Sequence, residues 1–357
     1  MLRYSASLCV LALVAARALA AEPNDGQPAA ATGKRAIPLP GEIDEIVCAG
    51  KGDFLLVRMN VLLRVAVFDM KQERIVGYLS FENEDSLLAG MAETALVVEP
   101  KKRTVTRWSL NPPQLQKTVT LKIKGDIQAL AAGYAATKPP LLVTTEGPIF
   151  LDPATLNPIK ATGDAEPTLP SRERRDPPFA AASADGSIYA GFEPLGDSDG
   201  LKTLRLQGSK LVFNQTFDRG YLPLPSPDGS TIFTQDGIFS AELKRLDKRD
   251  AKPRPCPFPT LHPAYYLGVQ SDEGQAGGSS AGIYSTRDRS LLFNIGKLPG
   301  APAFGRINGR DELAEYYYRR VVVHPALKKL FFATTYEKAL DVFPLELPAT
   351  PKPAAEK

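Results

Sequence analysis

Short apolar runs, each preceded by a turn of small and polar residues, recur along the chain. In the clearest example Pro227 fixes φ, the Asp228 carboxylate can bond to its own backbone, and Gly229 accepts a positive φ. Ile232 and Phe233 follow among threonine residues, a composition that favours a strand. The pattern therefore predicts a tight turn that leads into a strand.

An equivalent apolar strand occurs seven times along the chain. Its starts are 36 to 47 residues apart, except for a last interval of 63 residues that contains an insertion. Each unit also has a strand before it, a third strand and, in most units, a fourth. Periods of about 40–45 residues with four strands are typical of β-propellers. We predict an all-β fold over residues 35–347, a seven-bladed β-propeller, with six or eight blades as alternatives. The predicted second strands are Asp53–Val57, Ala95–Val98, Pro140–Val143, Ser187–Ala190, Ser230–Phe233, Tyr266–Val269 and Lys329–Phe332.

The turn before the second strand also recurs. Ser183–Gly186 and Ser226–Gly229 are its clearest copies, and His262 and His324 each precede a proline at the same position. Through these turns the chain resembles the WD-repeat and YVTN-type β-propeller superfamily. It lacks the Gly-His start and the Trp-Asp strand ends of strict WD repeats. The resemblance implies the fold far more than any function.

Bulky residues end most of the third strands. They include Phe68, Trp108, Phe150, Tyr284 and Phe343. We expect them to pack between adjacent sheets, which would account for the one tryptophan of the chain. The alternative for Trp108 is a platform on which a cofactor stacks.

A propeller must close its ring, because otherwise its first and last sheets have exposed edges. The last unit has only three predicted strands, at residues 319–323, 329–334 and 340–345. Residues 35–40 precede the first unit and contain two prolines, which suit an outer edge strand. We predict that this N-terminal segment is the fourth strand of the last blade.

Residues 1–20 have the pattern of a secretory signal peptide. Arg3 provides the positive region, Leu8–Ala16 the apolar region, and Ala18–Ala20 a small-residue cleavage site. The apolar run is too short to span a bilayer, although a single-span anchor is the alternative. We predict export to the periplasm or to the exterior, cleavage after Ala20, and no membrane span in the mature protein.

Composition excludes one class of partner. The mature chain has 41 basic and 40 acidic residues, counted from the 43 and 40 of the whole chain without Arg3 and Arg17. This balance provides no electrostatic footprint for nucleic acid.

Cys48 and Cys256 remain after cleavage; an exported protein can pair them, but their places in different repeats favour two separate thiols. Residues 21–34 and 348–357 are polar and rich in small residues, so we predict disorder there.

Four stretches are longer than turns: Ala161–Pro178, Glu193–Gly200, Gln270–Ser280, and Gly296 to about Glu315. They join second to third strands or a fourth strand to the next unit. Antiparallel strands alternate in direction, so all these connections emerge at one end of the propeller. We call this end the long-loop face and the opposite end the tight-turn face. Function usually lies on loops held by a rigid scaffold, although insertions without function are the alternative.

Charged residues on the long-loop face are the candidate binding residues. They are Arg172, Arg174, Arg175, Asp197, Asp199, Asp272, Glu273, Asp311 and Glu312. Tyr316–Tyr318 adds aromatic residues that suit either a protein interface or packing within a sheet.

The chain has little that suggests catalysis. The two histidines occupy equivalent turns, which favours a structural role, and no nucleophile, phosphate-binding or zinc motif occurs. We predict no cofactor and a non-catalytic binding or scaffold module whose partner is another protein or an extracellular or periplasmic ligand. The first alternative is a propeller hydrolase or lyase that uses carboxylates near the axis, with or without calcium. The second is a redox propeller with haem or a quinone.

Overall fold

Seven antiparallel sheets make up the computed structural model. It describes residues 33–159, 179–195, 198–208, 210–216, 218, 222–247, 255–271, 278–299, 317–334 and 337–347. The sheets follow one another along the chain, so the predicted seven-bladed β-propeller is confirmed. Among the described residues, no helix is long and apolar enough to span a membrane.

The blades have the following strands. Strand β1 (Arg35–Pro38) belongs to the last blade. Blade 1 has β2 (Glu45–Ala49), β3 (Phe54–Met59), β4 (Arg64–Asp69) and β5 (Arg74–Ser80), and blade 2 has β6 (Leu87–Gly90), β7 (Thr94–Glu99), β8 (Thr104–Ser109) and β9 (Leu115–Thr120). Blade 3 has β10 (Ile127–Ala131), β11 (Leu141–Thr144), β12 (Gly147–Leu151) and β13 (Pro158–Ile159), and blade 4 has β14 (Phe179–Ala182), β15 (Tyr189–Leu195), β16 (Ser198–Gln207) and β17 (Lys210–Thr216). Blade 5 has β18 (Leu224–Pro225), β19 (Thr231–Thr234) and β20 (Gly237–Ser240), and blade 6 has β21 (Cys256–Pro259), β22 (Tyr265–Ser271), β23 (Gly278–Ser285) and β24 (Leu291–Pro299). Blade 7 has β25 (Val321–His324), β26 (Lys329–Ala333) and β27 (Ala339–Pro344).

The first strand of each blade lies next to the axis. Strands β2, β6, β10, β14, β18 and β21 follow one another around the ring, and β25 returns to contact β2. Backbone hydrogen bonds also join neighbouring blades at the tight-turn face. They run from Gly50 N to Met91 O, Ala92 N to Ala136 O, Ala135 N to Ala184 O, Ala184 N to Pro227 O and Leu261 N to Val323 O.

The N-terminal strand closes the ring, as predicted. Strand β1 pairs antiparallel with β27, from Arg35 opposite Val342 to Pro38 opposite Ala339. Next to this pairing, Lys34 Nζ lies 2.7 Å from the Asp341 carboxylate, which is buried. The pairing covers the edge of β27 that would otherwise present unpaired backbone groups.

The apolar core lies between neighbouring sheets. Phe68 of blade 1 packs edge-to-face on Phe331 of blade 7, with ring centroids 6.1 Å apart, and Phe150 of blade 3 packs on Tyr189 of blade 4 at 5.3 Å. Trp108 packs against the cluster between blades 1 and 2. The expectation that the bulky residues fill the inter-blade space is thus confirmed for these three.

The recurrent serine turns are closed by their own side chains. Ser226 Oγ donates to Asp228 Oδ1 at 2.6 Å, and Ser183 Oγ donates to Asp185 Oδ1 at 2.7 Å. The same carboxylates accept backbone N–H groups two residues later. Gly229 has φ +68°, as the turn requires.

The two histidines also have the structural role that their positions predict. His262 Nδ1 accepts the Ala264 N–H and His324 Nδ1 accepts the Leu327 N–H, each at 3.2 Å. Both bonds lie inside turns that precede a second strand.

Three of the long connections are shorter than predicted. Residues 193–195 and 198–200 belong to strands and not to a loop, because β15 and β16 pair as far as Leu195 opposite Ser198. Strands β22 and β23 likewise extend into residues 270–280, and β24 extends to Pro299. Backbone pairing in these strands continues past the point where the apolar pattern ends. The sequence analysis took the end of the apolar pattern as the end of each strand, and therefore predicted loops there. Residues 161–178 lie outside the described residues.

Candidate functional site

The predicted binding residues lie almost entirely outside the described part of the chain. Asp199 lies in β16 opposite Pro194, so it belongs to a strand and not to a loop. The others outside the described residues are Arg172, Arg174, Arg175, Asp197, Asp272, Glu273, Asp311 and Glu312. For them the sequence-based prediction stands untested.

A buried ion-pair cluster lies at the long-loop face beside the axis. Glu45 begins β2, and its two carboxylate oxygens contact Arg319 Nη1 at 2.7 Å and Arg58 Nη1 at 3.2 Å. Burial by itself raises the pKa of Glu45, but the positive charges of Arg319 and Arg58 outweigh it and hold the pKa below its ordinary range. The carboxylate is therefore ionised at neutral pH.

Arg58 extends this cluster to the connection between blades 1 and 2. Its guanidinium donates to Ser86 O at 2.5 Å and also to Glu84 O, while its Nε donates to Asn60 Oδ1 at 2.6 Å. One side chain thus holds two connections of the long-loop face in place.

Two aromatic residues meet across the axis at this face. Tyr318 precedes blade 7 and Phe179 begins blade 4, and their rings pack edge-to-face with centroids 4.8 Å apart. The Tyr318 hydroxyl accepts the Arg319 Nε–H at 2.8 Å. Tyr317 is fully buried and packs near Phe332, with centroids 5.7 Å apart. Of the two interpretations of the tyrosine run, packing is correct for Tyr317; Tyr316 lies outside the described residues.

An exposed apolar turn projects from the same face. Val61, Leu62 and Leu63 follow β3 and have exposed fractions of 78%, 40% and 37%. The turn is rigidly held, since Asn60 N–H donates to Asp44 Oδ2 at 2.5 Å and Leu63 N–H donates to Asn60 O at 2.9 Å. Three consecutive exposed apolar residues on a fixed backbone suit a contact with another molecule.

An apolar cavity of about 180 Å³ lies on the axis. Its lining includes Cys48, Ala182, Leu224, Phe258 and Val323, and no carboxylate is among the described residues that line it. Burial raises the pKa of the Cys48 thiol to about 12, so the thiol is protonated at neutral pH. Cys48 and Cys256 are separate thiols in blades 1 and 6, as predicted.

Tyr134 also lines the cavity, from the connection between β10 and β11. Its carbonyl accepts the Lys51 N–H of blade 1 at 2.9 Å, so this connection reaches past blade 2. Burial, and secondarily the charge of a Cys48 thiolate, raise the pKa of Tyr134 far above its ordinary range. Both groups are therefore neutral hydrogen-bonding groups in an apolar setting.

The tight-turn face has a groove of its own, between blades 4 and 5. It has a volume of about 530 Å³, and its charged lining residues include Lys138, Arg205 and Glu242. Arg205 Nη2 contacts Glu242 Oε1 at 2.7 Å, and Lys138 Nζ contacts Asp185 at 3.3 Å. These cations are thus already neutralised within the protein.

Sequence reasoning did not single out Glu45, Arg58, Arg319 or Tyr134. One signal was available: Arg58 interrupts an apolar run, Phe54–Leu63, in which a cation is expected to be paired. The partner was not available, because Arg319 lies 274 residues from Glu45.

The fold resembles those of solved β-propellers. No protein-family model matches the chain, and no curated protein matches it significantly. A chain of the Mitotic Checkpoint Complex structure has a TM-score of 0.56 at 13% identity, and the match covers 95% of this chain and 99% of that one. The β-propeller domain of Cps50 (Swd1) from Myceliophteria thermophila has a TM-score of 0.54 at 11% identity, with 87% and 98% coverage. Hydrazine synthase from Kuenenia stuttgartiensis has a TM-score of 0.51 at 12% identity, with 88% and 98% coverage.

These identities are low, so the likeness concerns the fold alone. The second of these structures is described as a β-propeller domain. The predicted resemblance is therefore confirmed for the fold alone: the chain is a seven-bladed β-propeller.

Proposed function

We propose that this protein is an exported, non-catalytic β-propeller that binds another protein through its long-loop face. The observation that carries the proposal is the apolar turn Val61–Leu63, exposed on that face and held by the Asp44 and Asn60 hydrogen bonds. An apolar group presented on a rigid backbone loses little conformational entropy on binding, which favours association. WD40 propellers, whose fold this chain has, commonly bind proteins.

The buried ion-pair cluster supports a binding role for the same face, because it fixes the position of the apolar turn. Arg58 holds both the apolar turn, through Asn60, and the connection at Ser86. The turn is thus joined to the scaffold by charge-assisted hydrogen bonds, which are stronger than neutral ones.

The export part of the proposal depends on residues 1–20. Their positive, apolar and small-residue regions are those of a cleaved signal peptide. The mature protein recovered from its native host should begin at Ala21 when its intact mass is measured, and a protein that retains Met1–Ala20 would contradict export by this route.

The hydrolase or lyase alternative requires several carboxylates that converge near the axis. In the described part of the chain, the axial cavity has an apolar lining, and Glu45 beside it is ion-paired with two arginines. No observation favours this alternative over binding.

The binding proposal is tested by site-specific cross-linking in the native compartment. A photoreactive residue at Val61 should give a discrete cross-linked species, and Val61→Asp should abolish capture of the same partner. Leu115 is the matched control, because it is 53% exposed but begins β9 at the tight-turn face. Equal cross-linking at positions 61 and 115, or none at 61, would refute binding through this turn.

A further inference from the structure

We propose that the axial cavity binds a small neutral molecule, an apolar ring of about benzene size with one hydrogen-bonding substituent that contacts the Tyr134 hydroxyl. The lining of this cavity does not include the exposed turn Val61–Leu63, so the proposal does not depend on the protein partner proposed above.

The size of the cavity sets the size of the ligand. Its volume is about 180 Å³, and an apolar cavity of about 150 Å³ in another protein binds benzene. Leu224, Phe258 and Val323 provide apolar walls from three blades. A ring of six carbon atoms with one substituent therefore fits, and a drug-sized molecule does not.

The electrostatics of the cavity favour a neutral ligand. The environment that holds the Cys48 thiol protonated also disfavours an ionised ligand, because a thiolate and a charged ligand would both lose hydration there without a compensating charge. Arg319 is the one cation among the described lining residues, and the Glu45 carboxylate, 2.7 Å from its Nη1, holds its guanidinium in an ion pair.

The polar substituent is inferred from Tyr134. Its hydroxyl forms no hydrogen bond with any described residue, although the side chain is half-buried and lines the cavity. Other polar side chains of the lining are satisfied within the protein: Thr260 Oγ1 donates to backbone carbonyls, and the Tyr318 hydroxyl accepts from Arg319. Tyr134 is thus positioned to give a ligand its orientation, as single polar groups do in apolar pockets.

The test uses benzene and phenol as probes, titrated separately into the mature full-length protein by calorimetry. We expect both to bind, with phenol about five-fold tighter because it adds one neutral hydrogen bond. Tyr134→Phe should lower the phenol affinity to that of benzene and leave benzene binding unchanged. Tyr78→Phe is the control, since Tyr78 is exposed on β5, and it should change neither affinity.

The location is tested by filling the cavity. Ala182→Leu places three extra carbon atoms among the lining residues and should weaken both probes at least about ten-fold. Cys48→Leu fills it from blade 1 and serves if Ala182→Leu does not fold, as judged by circular dichroism. The proposal is overturned if neither probe binds, if Tyr134→Phe weakens both probes equally, or if a folded cavity-filling variant still binds them.

Discussion

The buried cluster at the long-loop face makes a specific prediction about stability. Glu45→Gln keeps the size of the side chain but removes the charge that faces Arg319 at 2.7 Å and Arg58 at 3.2 Å. Two guanidinium groups would then remain close together without a counter-charge. We expect the propeller to lose stability, because an uncompensated charge in a poorly hydrated site is costly.

The magnitude follows from the exposure of the three side chains. Glu45 is 14% exposed, Arg58 10% and Arg319 26%. Breaking a buried pair costs about 3–5 kcal/mol, and the partial hydration of Arg319 favours the lower limit, about 3 kcal/mol. With an unfolding entropy of about 2.1 cal/mol/K per residue over about 300 residues, the melting temperature should fall by roughly 5 °C.

The chain provides a matched control for this experiment. Arg205 and Glu242 also lie 2.7 Å apart, but their side chains are 28% and 56% exposed. Glu242→Gln removes the same charge from a hydrated pair, so we expect a cost below about 1 kcal/mol and a shift below about 2 °C. Differential scanning calorimetry measures both variants. Equal shifts, or a change below 1 °C for Glu45→Gln, would refute the argument that burial determines the value of the pair.

The pH dependence of the same variant provides a second measurement. Folding lowers the pKa of Glu45, so its contribution to stability is present above the ordinary carboxylate range and is lost as pH falls through the lowered value. The difference between wild type and Glu45→Gln should therefore shrink between about pH 5 and pH 3. A difference that stays constant over this interval would contradict the assignment.

Two further predictions concern closure and the histidine turns. Removal of residues 21–38 deletes β1 and exposes the edge of β27, so the melting temperature should fall by at least about 5 °C and aggregation should rise. Removal of residues 21–32, which leaves β1 in place, should change neither property. An unchanged melting temperature for the longer deletion would disprove the role of β1. Burial lowers the pKa of His324, whose neutral Nδ1 accepts the Leu327 N–H, so this group's stabilisation is complete above its ordinary pKa and is lost as pH falls. His324→Asn keeps an acceptor without a titrating group, and its urea unfolding free energy should fall less than that of wild type between about pH 7 and pH 5; equal falls would contradict this account.

Much of the fold could be predicted from the sequence because a blade is a local structure. Ser226–Gly229 and Ser183–Gly186 are turns closed by side chains within five residues, and the apolar strands follow directly after them. The number of blades and the closing strand followed from counting these units. Strand ends could not be predicted, since the pairing of Leu195 with Ser198 depends on the neighbouring strand and not on the apolar pattern.

The site was harder to predict, because it too depends on residues that are distant in the sequence. The charged residues that the sequence analysis named as binding candidates, such as Asp199, were chosen because they fall in predicted loops. The side chains that the structure brings together, Glu45 and Arg319, lie in the first and last blades, and each alone has the sequence context of an ordinary surface charge.

The sequence by itself determined the repeat, the turn chemistry and the closing strand, because these depend on contacts between residues close in the chain or on the simple requirement that the ring has no open edge. Only the tertiary structure decided which side chains surround the axis. Ring closure brings Cys48 of blade 1, Tyr134 of blade 3 and Val323 of blade 7 to one cavity. No local pattern encodes that meeting, since it results from the curvature of seven sheets packed around a common axis.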